Sequence, residues 1–342
     1  MRTSPVRVVT LLGLGVALGP GGLSILSPRI LPYLDPAAPV AVAVLGVAAA
    51  LALPRTRGAL THPAVHAATT GLVLAVALLA ARPTAAAVID GAASWPVMAV
   101  LLAIAAATSA PAPSLDDDPG GDRTQEHDYV LPIIAGGVLL ALLREPSLAH
   151  AVWLAIEISL IAAVISAAGW LLVSRAATAG EQRVFTFACL LLLGGVADYL
   201  SLSALLTGFA AGICWRAAGG GVAESIARDV AYVEQTLVAF ILVLAGAHAS
   251  FSPPTLLLAA AFVFVRAFGK IAGAWLARLA PGEPYRVSVA TLLSPGVFGI
   301  AFALNGFRAA GADLAPALGV VAVGAAASAL LALAVGGTPE AA

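Results

Sequence analysis

Lys270 is the single lysine among 17 basic residues, and it lies inside the apolar stretch Leu256–Trp275. A charge in such a stretch is expensive in a membrane and calls for a partner, a water-filled cavity or a role in moving ions. A desolvated lysine can release its proton, whereas arginine holds its own. Lys270 is therefore a candidate proton-handling group, with snorkelling or a structural ion pair as the plainer alternative. Arg266 precedes it by one helical turn, so both cations project from one face and need anionic or carbonyl neighbours.

Two acids are candidates to meet them. Glu157 lies within an apolar run, Val152–Ile161, roughly 14 Å along its helix at 1.5 Å per residue. It ranks first as the intramembrane partner of Lys270 or Arg266, with a helix–helix hydrogen bond as its structural alternative. Asp128 ranks second. It opens another apolar run, directly after the acidic, Gly- and Pro-containing stretch Asp116–Glu126, which reads as a solvated loop. Asp90, Asp198 and Glu234 fall near predicted helix ends and read as interfacial, as do His66 and His248. No spacing suggests a metal site, and no nucleophile–base pair, phosphate loop or dinucleotide fingerprint is present. The chain is expected to be neither an enzyme nor cofactor-dependent. Cys189 and Cys214 read as small buried hydrophobes.

The elements that must position these groups are membrane helices. The chain is 61% hydrophobic and 10% charged over 342 residues, with a net charge of −1. That composition excludes a soluble domain and gives no basic surface for nucleic acid. About twelve helices are expected, over roughly 6–19, 38–53, 64–81, 94–109, 128–143, 148–174, 183–200, 201–216, 234–251, 254–279, 286–307 and 314–336. Arg2 and Arg7 followed by an apolar run resemble a signal peptide, but no small-x-small cleavage site follows, so this segment reads as a retained first helix. With the N-terminus in the cytoplasm, inside segments hold eleven arginines and outside segments only Arg29, Arg82, Arg144 and Arg308. This is the bias of the positive-inside rule, and it puts both termini in the cytoplasm.

Proline and glycine interrupt two of these helices. One break is Ala107–Ser114, with Thr108 and Ser109 at its start; the other is Leu293-Ser294-Pro295-Gly296-Val297. They fall in the fourth and eleventh helices. Units 3–4–5 and 10–11–12 would then be inverted repeats, each with a broken middle helix, the arrangement of many transporter sites.

Four ordered segments carry a resemblance to the monovalent cation:proton antiporter superfamily. They are Gly13–Leu23, Leu202–Gly212, Phe240–Gly246, and the pair Arg266–Lys270 with Ser294–Gly296. The resemblance implies an all-α, polytopic membrane fold of sodium/proton antiporter type, with inverted repeats and two broken helices. It implies dimer-type helices over about 1–60 and 148–252, and transport-type helices over about 61–145 and 253–342. The implied activity is exchange of Na+ or K+ for protons across the inner membrane, by a homodimer in lipid. Lys270 matches the tenth-helix lysine that pairs with a fifth-helix acid in one branch of the superfamily. Thr108-Ser109 and Ser294-Pro295-Gly296 match its two unwound segments.

The fifth helix admits two alignments. One sets His127-Asp128 at the family's acidic pair. The other sets Ala135-Gly136-Gly137 there, with no acid. Hydropathy favours the second, because Gly136-Gly137 is the midpoint of the fifth apolar span and Asp128 would start a helix near water. An acid-free fifth helix would fit a membrane scaffold or sensor of antiporter ancestry that exchanges nothing.

Overall fold

The structure is a computed structural model that describes residues 4–53, 61–81, 95–108, 128–144, 146–279, 293 and 296–336. It is all-helical. We number the helices α1 (Pro5–Leu18), α2 (Leu31–Leu34), α3 (Ala37–Leu51), α4 (Thr61–Ala80), α5 (Trp95–Ala107), α6 (Val130–Arg144) and α7 (Leu148–Arg175). The chain continues through α8 (Ala179–Tyr199), α9 (Ala204–Ala218), α10 (Gly220–His248), α11 (Pro253–Ala277), α12 (Val297–Ala310) and α13 (Ala315–Gly336). With the one-turn α2 set aside, these helices match the twelve expected spans in order. Six are long and apolar enough to cross a membrane, and the rest are shorter apolar helices. The chain is a multi-pass membrane protein.

The largest boundary difference is α10. It starts at Gly220 rather than near residue 234, because a polar, amphipathic first half is welded to the apolar second half. Glu234 is thereby buried within the helix rather than placed at its end.

Of the six shorter apolar helices, three converge on one place. α5, α6 and α12 have 13, 15 and 14 residues, each about 20–22 Å at 1.5 Å per residue, against a hydrocarbon core of about 30 Å. Their facing ends meet inside the bundle: Gly296 lies against Thr108, and Lys270 touches both Ala107 and Asp128.

The two expected repeat units interlock. α4 packs on α11, and α5 packs on α12. Both pairs run antiparallel. His62 reaches Ala277 while Thr70 reaches Gly269; Ala105 lies against Gly299 and Leu101 against Gly306. Antiparallel pairing is what inversion of one unit relative to the other requires.

Beside them, α3 and α9 form the most intimate contact. A Cβ on Gly208 would overlap the carbonyl of Ala43, and one on Gly46 would overlap that of Leu205. Lipid tails offer helices no hydrophobic drive to associate, so close backbone approach through small residues supplies the attraction. α1 and α10 use the same device at Gly15 and Gly246.

Polar ties fasten one end of the bundle. Arg308 at the end of α12 donates to the Asp35 carbonyl at 2.6 Å and to Asp198 at 2.8 Å. Asp35 also meets His248 at 2.9 Å, and Arg144 donates to the Leu200 carbonyl. Two of the four arginines expected on the sparse side are thus anchored by interhelical bonds. The opposite end carries Arg216 on the Leu51 carbonyl and Arg183 against Asp229.

Gly208→Val should destabilise the protein by about 1–3 kcal/mol or more, because backbone rather than a movable side chain blocks the new methyls. Gly195, with open space at its Cβ position, should accept alanine. Thermal unfolding in detergent, read by size-exclusion chromatography, checks both.

Candidate functional site

α11 carries the two cations, and α5, α6 and α12 bring helix ends to them. Lys270 and Asp128 are 0% and 1% exposed, and Nζ lies 3.0 Å from Asp128 Oδ2. Nζ also donates to the Ala107 carbonyl, at the last residue of α5. Arg266, equally enclosed, donates to the Thr108 carbonyl at 3.1 Å and to the Leu293 carbonyl at 3.1 Å. One guanidinium therefore ties together the backbone of both breaks. The five fixed donors of arginine suit such a bridge, and lysine could not replace it.

The charges match the helix ends. Asp128 sits just before the N-terminus of α6, where unpaired N–H groups favour an anion. The ammonium and guanidinium sit at the C-terminus of α5, where free carbonyls favour cations. Tyr129 holds the turn in place. Its hydroxyl donates to the Ala49 carbonyl on α3 at 3.0 Å, and its ring stacks on Phe298 of α12 with centroids 4.6 Å apart.

This placement corrects the expectation for the fifth helix. Asp128 starts a helix, yet it is sealed from solvent because α6 begins below the surface rather than at it. The pair Gly136-Gly137 lies elsewhere on α6. A Cβ on Gly136 would strike the Phe302 ring, and one on Gly137 would strike Leu206. These glycines let α12 and α9 pack against α6.

Glu157 is a second correction. It is exposed on the outer face of α7, among Trp153, Ile156 and Leu160. Lys270 instead takes Asp128, and Arg266 takes carbonyls. Of the expected unwound segments, Thr108 and Gly296 meet: a Cβ on Gly296 would lie 2.6 Å from Thr108 Oγ1. Ser109, Ser294 and Pro295 lie outside the described residues.

His66, expected to be interfacial, belongs to the site. It is 0% exposed, with Nδ1 3.7 Å from Asp128 Oδ2 and Nε2 3.3 Å from the Lys270 carbonyl. A signal for it was available in the sequence. His62, His66 and Thr70 recur every fourth residue and make one polar stripe on an apolar helix. In the structure that stripe lies along α11. His62 Nδ1 is 2.8 Å from the Ala277 carbonyl, and the Thr70 hydroxyl donates to the carbonyls of His66 and Gly269.

Nearby, a cleft of about 490 Å³ between α4, α5 and α6 is lined by apolar residues including Gly71, Ile104 and Leu139. No charged or polar side chain lines it among the described residues.

No protein-family description matches the sequence, and no curated protein sequence matches it. Among solved structures, the chain is similar to the sodium proton antiporter MjNhaP1 from Methanocaldococcus jannaschii, with a TM-score of 0.69. The match covers 96% of this chain and 89% of that chain at 17% identity. The chain has a sodium/proton antiporter-like fold.

Removing one member of the buried pair strands the other charge. Asp128→Asn or Lys270→Met alone should each cost about 3–5 kcal/mol. The double variant Asp128→Asn/Lys270→Met should recover much of that loss. Thermal unfolding of the four proteins in one detergent measures the coupling.

Proposed function

We propose that this chain exchanges a monovalent cation, Na+ or K+, for protons across the cell membrane. Asp128 would carry the cation and the proton in turn, with Lys270 as its resident counter-ion. The observation that carries this reading is the enclosed Lys270–Asp128 pair at a junction of three short helices. An ion pair that served packing alone would be costly there, since desolvation offsets most of its attraction.

In this mechanism an incoming cation takes the place of the ammonium at Asp128. Lys270 releases its proton and withdraws as a neutral amine, so one positive charge enters the site as another leaves. The carbonyls of Ala107 and Thr108, at the C-terminal end of α5, are oxygen ligands of the kind that bind Na+ at broken transporter helices. Arg266 keeps the two breaks together throughout. Helices α4–α6 and α11–α13 would move as the transport unit against α1–α3 and α7–α10, which would carry the contact with a second copy. The arginine distribution supports an orientation with both termini in the cytoplasm.

The scaffold reading drew its support from an acid-free fifth helix. With Asp128 against Lys270, that support is gone.

In proteoliposomes with an internal pH dye, the protein should give a pH change on addition of Na+ or K+. Asp128→Asn should abolish it. Lys270→Ala should change the dependence on pH or voltage, and an unaltered profile would remove Lys270 from the mechanism. Tight vesicles with folded protein and no response to either cation would return the scaffold reading.

A further inference from the structure

The residue beside the ion pair that neither the sequence pattern nor the exchange reading assigns is His66. Its ring is held by α4 between the backbone of α11 and the carboxylate that precedes α6. A carbonyl can only accept, so the 3.3 Å contact to the Lys270 carbonyl makes Nε2 the protonated nitrogen of the neutral ring. Nδ1 is then the nitrogen with a lone pair, and it faces Asp128 Oδ2 at 3.7 Å. That same oxygen accepts the Lys270 ammonium at 3.0 Å. Asp128 Oδ2 therefore has a proton donor on one side and a proton acceptor on the other.

The surrounding charges fix when the acceptor can act. α11 presents Lys270 and Arg266 toward the ring, Asp128 faces it from the start of α6, and α5 has no titratable side chain. On α4 itself, His62 is one turn away and reaches the Ala277 carbonyl. Among the described residues, with Lys270 paired to Asp128, these three charged groups sum to +1, and a proton on His66 would add a third cation. When the ammonium charge leaves and no cation has replaced it, that sum falls to zero and Asp128 Oδ2 loses the cation it was bonded to.

We propose that His66 is the second proton-holding residue of the site, sharing a proton with Asp128 as an Nδ1–H–Oδ2 bridge whenever Lys270 is neutral or absent and no cation occupies Asp128. The transfer conserves charge. An N–H bond of the Lys270 ammonium breaks, a bond from that proton to the His66–Asp128 pair forms, and the amine is left neutral. The Nε2 bond to the Lys270 carbonyl can stay in place while the 3.7 Å gap between Nδ1 and Oδ2 closes to hydrogen-bond distance. The role in transport rests on the exchange reading; the proton bridge itself does not.

Two measurements test it. The first is solid-state 15N NMR of histidine-labelled protein in lipid, with the His66 signals identified by their loss in His66→Gln. The wild type should show a bare Nδ1, and Lys270→Met should show a protonated Nδ1 at the same pH. Lys270→Ala serves if the methionine variant fails to reconstitute. A bare Nδ1 in the folded lysine variant overturns the proposal, whatever transport shows.

The second measurement is exchange against pH. Gln can keep the donor toward the Lys270 carbonyl but holds no proton. His66→Gln should therefore let cations compete with protons further into acid, moving the acid limb down by about one pH unit, a tenfold change in proton affinity. The apparent KM for the cation should fall at acid pH while the alkaline maximum rate is retained. His62→Gln should leave the acid limb where it is. An unmoved acid limb in an exchanging His66→Gln protein also overturns the proposal. If the wild type exchanges nothing, the exchange reading fails, and the NMR result alone decides the bridge.

Discussion

Lys270, Arg266 and Asp128 are shut away from water together, and most of the structure answers that fact. Asp128 by itself cannot neutralise both cations. Among the described residues both cations also turn to backbone, to the carbonyls of Ala107, Thr108 and Leu293. Carbonyls are free only where a helix stops. The cations therefore require broken helices at their own depth, and the Pro- and Gly-rich interruptions supply them. The same geometry gives Asp128 the opposite helix end, the one that favours an anion.

The surrounding packing holds those ends still. α4 and α11 approach closely enough that a Cβ on Gly273 would lie 2.8 Å from the His66 carbonyl, and α5 and α12 meet at Gly299 and Thr108. The polar side chains between α4 and α11 satisfy one another's backbone and leave His66 aimed at the carboxylate. On the other side, α3 and α9 are joined backbone to backbone. Between these two assemblies the contacts are fewer and of a different kind. Tyr129 reaches the Ala49 carbonyl, Leu206 fills the notch at Gly137, and Arg308 and Arg144 hold one end. A movement of the site relative to α3 and α9 would have to exchange those few polar bonds, while the glycine-packed cores could travel whole.

Much of this was legible in the residues. Apolar runs long enough for helices, their number and their order follow from hydropathy, because transfer into lipid is a nearly additive property of each segment. The two breaks follow from proline chemistry, and the need of Arg266 and Lys270 for carbonyl or anionic neighbours follows from the cost of burying charge. The site acid was misplaced for a definable reason. Hydropathy equates the start of an apolar run with the membrane surface, and Asp128 starts such a run. Glu157, by contrast, stands inside a long apolar run, and no linear pattern tells which side of a helix faces outward when the whole helix is apolar. His66 was missed because the predicted start of its helix was set three residues late, which hid the stripe it forms with His62 and Thr70.

The sequence by itself determined a multi-pass helical protein with two broken helices and two cations on one face, since these depend on local composition and on i to i+4 spacing. Only the tertiary structure decided which acid meets Lys270, that α6 begins below the surface, and that His66 shares the site. Those outcomes depend on where separate helices stop relative to one another, a relation between distant segments that no single stretch of chain contains.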